Sequence, residues 1–138
     1  MSTKPVFENT RCEIALHNDH TIGIRLKGFL KITELTEISN FMKSFLKTHT
    51  ITDMLIDQSE VKVLSSDVLK YMTGMVATIA QNRIQRIAII DAEDIFAKAS
   101  FSKLDKEAAP NNTATLAHFM HARGAWEWLQ INSTGTAL

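Results

Sequence analysis

Apolar positions along the chain follow two periods, and the changes from one period to the other mark its elements. Residues 12–17 (CEIALH) alternate apolar and polar, as a half-buried strand does. Asn18-Asp19-His20 supplies turn chemistry. Residues 21–27 (TIGIRLK) alternate again, with Ile22, Ile24 and Leu26 on one face, so the two segments read as an antiparallel hairpin. Gly28 breaks that pattern. Ile32, Leu35, Ile38, Phe41, Met42, Phe45 and Leu46 then recur at three- and four-residue steps, which predicts an amphipathic helix over 33–48. Thr33 is its expected N-cap, with Glu34 and Glu37 in the first turns.

Residues 52–57 (TDMLID) predict a short apolar strand. Val68, Leu69, Met72, Met75, Val76 and Ile79 form the inward stripe of a second helix, capped by Ser65 or Ser66, with Asp67 favouring its positive end. Residues 86–91 (RIAIID) are the most apolar run and predict a central strand covered on both faces. Asp91 is the expected cap of a third helix over 93–107, stopped by Pro110-Asn111-Asn112. Residues 113–119 predict a last strand and 121–130 a closing helix with Trp126 and Leu129 on one side. Trp126 and Trp128 stand two apart, so a helix cannot bury both against one surface. The polar ends, 1–10 and 131–138, are expected to be flexible. The order β-β-α-β-α-β-α-β-α is that of an α/β domain, with short right-handed crossovers and a mixed, mostly parallel sheet packed by amphipathic helices. No repeat or linker divides the chain, so one domain over 1–138 is expected.

Three stretches carry a resemblance. IRLKGFLKITELTEISNFMKSFL is a strand, a glycine and an amphipathic helix. MLIDQSEVKVLSSDVLKYM is a strand, a loop and a helix. RIAIID is followed later by a strand and AWEWL. In this order they resemble the STAS domain, the fold of the anti-sigma-factor antagonist SpoIIAA, and more closely the SpoIIAA-like group of small bacterial proteins, over about residues 12–130. The resemblance implies a non-enzymatic regulatory module that docks a protein partner, anti-sigma-factor-like or another regulator, through the loop and helix start at 58–68. The implied docking residues are Asp57, Ser59, Ser65, Ser66 and Asp67. In the antagonists that loop presents a phosphorylatable serine at a helix start, where free N–H groups and the dipole favour a phosphate. Matching Asp57-Gln58-Ser59 and Val61 to the family's strand and loop puts Asp67 at the acceptor's place. A slip of one residue restores Ser66 as the acceptor.

Composition narrows the partners. Fifteen basic and fifteen acidic residues cancel, leaving no global field for nucleic acid or an anionic membrane. The same balance leaves little repulsion against a homodimer. No apolar run approaches the roughly 20 residues of a membrane span, and residues 1–10 lack the apolar core of a signal peptide, so a cytoplasmic protein is expected. Cys12, the one cysteine, has no partner for a disulfide or a Cys-based zinc site.

The candidate chemistry is sparse. Asp53, Asp57, Asp91 and Asp94 stand near strand ends and read as caps and solvated loop groups. The histidines show no metal-ligand spacing. No Gly-rich phosphate loop or nucleophile elbow is present. No catalytic, metal or cofactor residue is therefore assigned. Met42, Met54, Met72, Met75 and Met120, with Phe41 and Phe45, read foremost as core. The alternative is the lining of a pliable pocket, which would make the protein a carrier or sensor of a small apolar ligand, similar to CRAL-TRIO domains.

Overall fold

A computed structural model describes residues 3–80, 83–108 and 114–134. The elements are β1 (Lys4–Asn9), β2 (Cys12–Asn18), β3 (Thr21–Gly28), α1 (Ile32–Thr48), β4 (Asp53–Val61), α2 (Ser66–Ala80), β5 (Arg86–Ile90), α3 (Ile95–Ala108), β6 (Thr115–Phe119) and α4 (Ala122–Thr134). The six strands form one sheet in chain order. β1, β2 and β3 pair antiparallel, while β3 to β6 pair parallel. The mixed α/β architecture is the expected one.

Because each parallel step moves one strand in the same direction, right-handed crossovers put α1, α2 and α3 on a single face of the sheet. Leu35, Ile38 and Met42 of α1, Val68 and Met72 of α2, and Phe101 and Leu104 of α3 share a core there with Ile22, Ile24, Met54, Ile87 and Ile89. α4 covers the opposite face alone, where Ala125 and Leu129 meet Leu55, Ala88 and Ile90. β5 therefore sends alternate residues into two cores, which is why its sequence is apolar throughout. The two tryptophans flank the Ala125–Leu129 stripe. Trp126 contacts the His17 ring at 3.9 Å and Trp128 contacts Phe119 at 5.9 Å.

Four details depart from the sequence pattern. The segment expected as a flexible polar end contains β1, an edge strand whose exposed Lys4, Pro5 and Glu8 blunt the edge. β4 runs four residues beyond its expected end. α1 starts at Ile32 after Lys31, which makes no side-chain cap, and Thr33 lies inside the first turn. The cap of α3 is Asp94, whose Oδ1 accepts from the N–H groups of Phe96 (2.9 Å) and Ala97 (3.0 Å). The expected helix stop at Pro110-Asn111-Asn112 and the tail beyond Thr134 lie outside the described residues. Among those residues, no helix is long and apolar enough to cross a membrane.

The amino ends of β4 and β5 are joined by charge. Asp53 is fully buried and its Oδ1 accepts from Arg86 Nε at 2.8 Å. Its Oδ2 is buried with no partner. Removing one member of such a pair leaves an uncompensated buried charge, so Arg86→Met should lower stability by about 3–5 kcal/mol. Removing both charges together should recover most of that loss. Urea denaturation of Arg86→Met and of the double variant Asp53→Leu/Arg86→Met checks this, and equal losses in the two would refute it.

Candidate functional site

The loops that follow β3, β4, β5 and β6 all emerge at the carboxyl end of the parallel strands, where open α/β sheets place their binding sites. Backbone hydrogen bonds tie them to one another. Lys62 N–H donates to Gly28 O (2.9 Å), Glu93 N–H to Ser59 O (3.2 Å) and Asp91 N–H to Phe119 O (2.9 Å). Gly28 turns the chain out of β3 with φ +73°. That left-handed backbone favours glycine, since a side chain there would be strained whatever space the movable Arg11 guanidinium leaves.

The five predicted docking residues divide into two groups. Ser65, Ser66 and Asp67 are exposed at the start of α2. Ser65 is the cap: its Oγ accepts from Val68 N–H at 3.2 Å, and its carbonyl accepts the first helical bond, from Leu69. Ser66 and Asp67 fall in the first turn, beside N–H groups with no helical partner. Asp57 points to the opposite face, the side of Leu55 and Trp126. Its Oδ1 accepts from Ser59 N–H at 2.9 Å, an Asx turn within β4. Gln58 and Val61 are buried, so within 58–68 the surface is carried by Glu60, Lys62, Val63 and Ser65–Asp67.

The sequence pattern missed the side chains that dominate this end. Among the described residues, Phe29, Ile32, Val63, Ile95, Phe96 and Met120 are the exposed large hydrophobic ones, with Ile95, Phe96 and Met120 at least 70% exposed. All six stand in or directly after a loop that leaves β3, β4, β5 or β6. None sits at the amino end of those strands among the described residues. The apolar character of Ile95 and Phe96 would suit an inward stripe of α3. That helix instead buries Ala97, Phe101 and Leu104, on a side of the helix turned away from Ile95 and Phe96.

Ionisable groups meet beside this edge. His118 Nδ1 lies 2.7 Å from Asp91 Oδ1, and its Nε2 lies 3.2 Å from Asp105 Oδ2. Asp91 thus ties β5 to β6 instead of capping α3. Burial raises the Asp105 carboxyl above its usual range; nearby Asp91 adds to the shift and His118 opposes it. On the other face, burial lowers the His17 imidazole. Burial pushes the Cys12 thiol up to about 12, so it stays protonated and serves as a small core residue. No group of three or more potential ligands is placed to hold a metal among the described residues.

Solved structures supply the comparison, because no protein-family model and no curated protein matches the sequence. An uncharacterized DUF3478-family protein with a SpoIIAA-like fold from Shewanella loihica PV-4 superposes with a TM-score of 0.63 at 18% identity, over 90% of this chain and 98% of that one. The chain has a SpoIIAA-like fold. SpoIIAA itself, an anti-sigma factor antagonist in its unphosphorylated form, gives 0.60 at 11% identity, covering 86% and 96% of the two chains. An anti-sigma factor antagonist from Mycobacterium paratuberculosis gives 0.53 at 12%, covering 94% and 95%. Identities this low establish the fold and leave the task to be argued from the site.

Two local roles can be checked directly. Loss of the cap in Ser65→Ala should cost about 1 kcal/mol, read by thermal or chemical denaturation, while Ser66→Ala should be close to neutral. Asp105 gives a pH signature. Its raised folded-state value means that the folded protein retains a proton which the unfolded chain has released. The stability it contributes therefore declines as pH rises from 3.8, the ordinary value, through the raised one. Asp105→Asn removes that decline. Denaturation of both proteins between about pH 4 and pH 7 should show the wild type losing ground to the variant as pH rises; a constant difference would contradict the assignment.

Proposed function

We propose that the chain is a non-enzymatic regulatory module that docks a protein partner at the carboxyl end of its parallel strands. One observation carries the reading. The exposed large hydrophobic residues of the described chain gather at this end, around the start of α2. Burying Phe or Ile against water's competition is favourable by about 1.5–3 kcal/mol per side chain, and clustered exposure of this kind marks interaction surfaces. The anti-sigma factor antagonists that share the fold make a protein partner, such as an anti-sigma-factor-like regulator, the natural occupant.

Within that surface Asp67 takes the acceptor's place. It puts a fixed negative charge in the first turn of α2, where a phosphorylated serine would put a larger, reversible one. In this reading the module stays in one charge state and is not switched by a kinase. Ser65 is engaged as the cap, and Ser66 stands exposed beside Asp67.

The test is capture of partners from the native host with the wild type, Asp67→Lys and Phe96→Ser as baits. Both substitutions are on exposed positions, so each variant should retain its fold, checked by circular dichroism. Asp67→Lys should weaken capture by tenfold or more, and Phe96→Ser severalfold, since truncating a central aromatic anchor commonly costs about 1–2 kcal/mol. A partner held unchanged by both variants would remove this face from consideration. Phosphoproteomics of residues 58–70 should find no modification; stoichiometric phosphate on Ser66 would overturn the fixed-charge reading while leaving the docking face intact.

A further inference from the structure

We infer that the open trough on the α4 side of the sheet is a binding site for a small organic cation, an amine carried on a flat aromatic body. This inference does not depend on the docking face. α4 packs against β4, β5 and β6, so the same side of β2 and β3 has no helix over it among the described residues. The trough beside α4 measures about 480 Å³, within the roughly 300–1,000 Å³ common for small-molecule sites.

Strand register builds the trough in two rows. Pro5, Ala15, Gly23 and Leu55 stand side by side across β1 to β4, and all four line it. They are small or apolar. Gly23 also lets two rings close down onto the sheet: His17 Nε2 lies 2.8 Å, and Trp126 Cζ2 3.7 Å, from where a Cβ at 23 would stand. The next row toward the carboxyl end of β3 and β4, roughly 7 Å away, is Glu8, Glu13, Arg25 and Asp57, again side by side across the four strands and again lining the trough.

The second row points to a cation. It holds three carboxylates and one guanidinium. Arg25 is already engaged, by Glu13 at 3.7 Å and by Glu60. Neither Glu8 nor Asp57 forms an ion pair among the described residues. Glu8 stands directly opposite Glu13, and like charges facing each other across a strand pair are destabilising. A cation seated there relieves that repulsion. His17 adds no positive charge to compete with it: the Nδ1 is buried without a partner, and burial lowers the imidazole so that the ring is neutral near pH 7. No group of three or more potential ligands is placed to hold a metal among the described residues, and the first row offers rings and aliphatic surface, so the cation is an organic one. Its body lies on Ala15 and Gly23 against the His17–Trp126 pair, where aromatic rings and cations both find favourable faces. Its ammonium reaches the carboxylates one row away.

Phenethylamine is a suitable probe. It is compared with phenethyl alcohol, its neutral counterpart, and with butylamine, which carries the ammonium of a lysine side chain without a ring. Added to the full chain and followed by NMR, phenethylamine should give saturable shifts at the Gly23 amide and the Trp126 indole. Trp128, which packs on Phe119 and does not line the trough, should stay unmoved. The amine should bind roughly fivefold more tightly than the alcohol, the ratio that one half-exposed ammonium–carboxylate pair supplies, and added salt should shrink that margin. The double variant Glu8→Gln/Asp57→Asn should abolish the margin and keep the weaker binding, because an amide oxygen at position 57 still accepts from Ser59 N–H. The wild-type titrations decide the matter even if that variant fails to fold. No saturable shift with phenethylamine would overturn the site. Equal binding of amine and alcohol, or a margin that survives the double variant, would overturn the cation. Butylamine bound as tightly as phenethylamine would overturn the aromatic body and assign the trough to a lysine of a partner chain.

Discussion

The handedness of the strand-helix-strand crossover governs most of this molecule. Four parallel strands laid down in one direction leave the crossovers no choice of side. α1, α2 and α3 must crowd one face, and α4 is left to cover the other. All four loops that leave β3 to β6 must emerge at one end. The exposed hydrophobic residues of those loops thus become neighbours, although up to about ninety positions of sequence separate them. The same constraint stacks three amphipathic helices over one continuous strip of sheet, and their side chains leave a small apolar cavity beneath them.

The two ends of the sheet answer different physical demands. At the amino end, Asp53 is enclosed completely and held by Arg86, and the backbone N–H groups of Thr52, Asp53, Gln85 and Arg86 all find carbonyl partners in adjacent turns. That end is closed by hydrogen bonds. At the carboxyl end the loops are also bonded to one another, yet they hold apolar side chains out in water. A rigid frame presenting unsatisfied hydrophobic surface is what association requires, since little ordering entropy remains to be lost on binding. α2 adds a directional element, with its free N–H groups and Asp67 beside the apolar rim.

Much of this was legible in the sequence because the period changes are sharp. The β2–β3 hairpin, the stripe Leu35–Ile38–Met42–Phe45 and the two-sided β5 follow directly from spacing, and each sits where alternation or helical period puts it. β1 was illegible because an edge strand with Pro5 and charged neighbours does not look like a strand. The proposed docking surface was only half legible. Ser65, Ser66 and Asp67 announce a helix start, but nothing local marks Ile95 and Phe96 as exposed. Their apolar character suits an inward stripe equally well, and only the rotation of α3 set by Ala97, Phe101 and Leu104 decides it. The cavity was illegible for a related reason: a methionine at a helical i,i+3 step is the same letter whether it fills space or borders it.

The end of β4 shows how one local irregularity connects these features. Arg25 pairs with Asp57, but Lys27 pairs with Glu60, so β4 carries one more residue than β3 across that interval, a bulge. Simple alternation fails there, which is why the sequence pattern ends the strand at 57. The Asp57 carboxylate accepting from Ser59 N–H fixes the extra residue in place. The consequences are geometric. Before the bulge, Met54, Ile56 and Gln58 face the three helices. After it the phase is reset, so that Val61 is buried in that same core and Glu60 reaches Arg25 at the surface. Gln58 is the last residue of the first phase. A regular strand running on from Gln58 would turn Val61 away from the core. Asp57 therefore belongs to the construction of the edge. Through the bulge it sets the phase of the strand end that leads into the loop carrying Val63 and the start of α2.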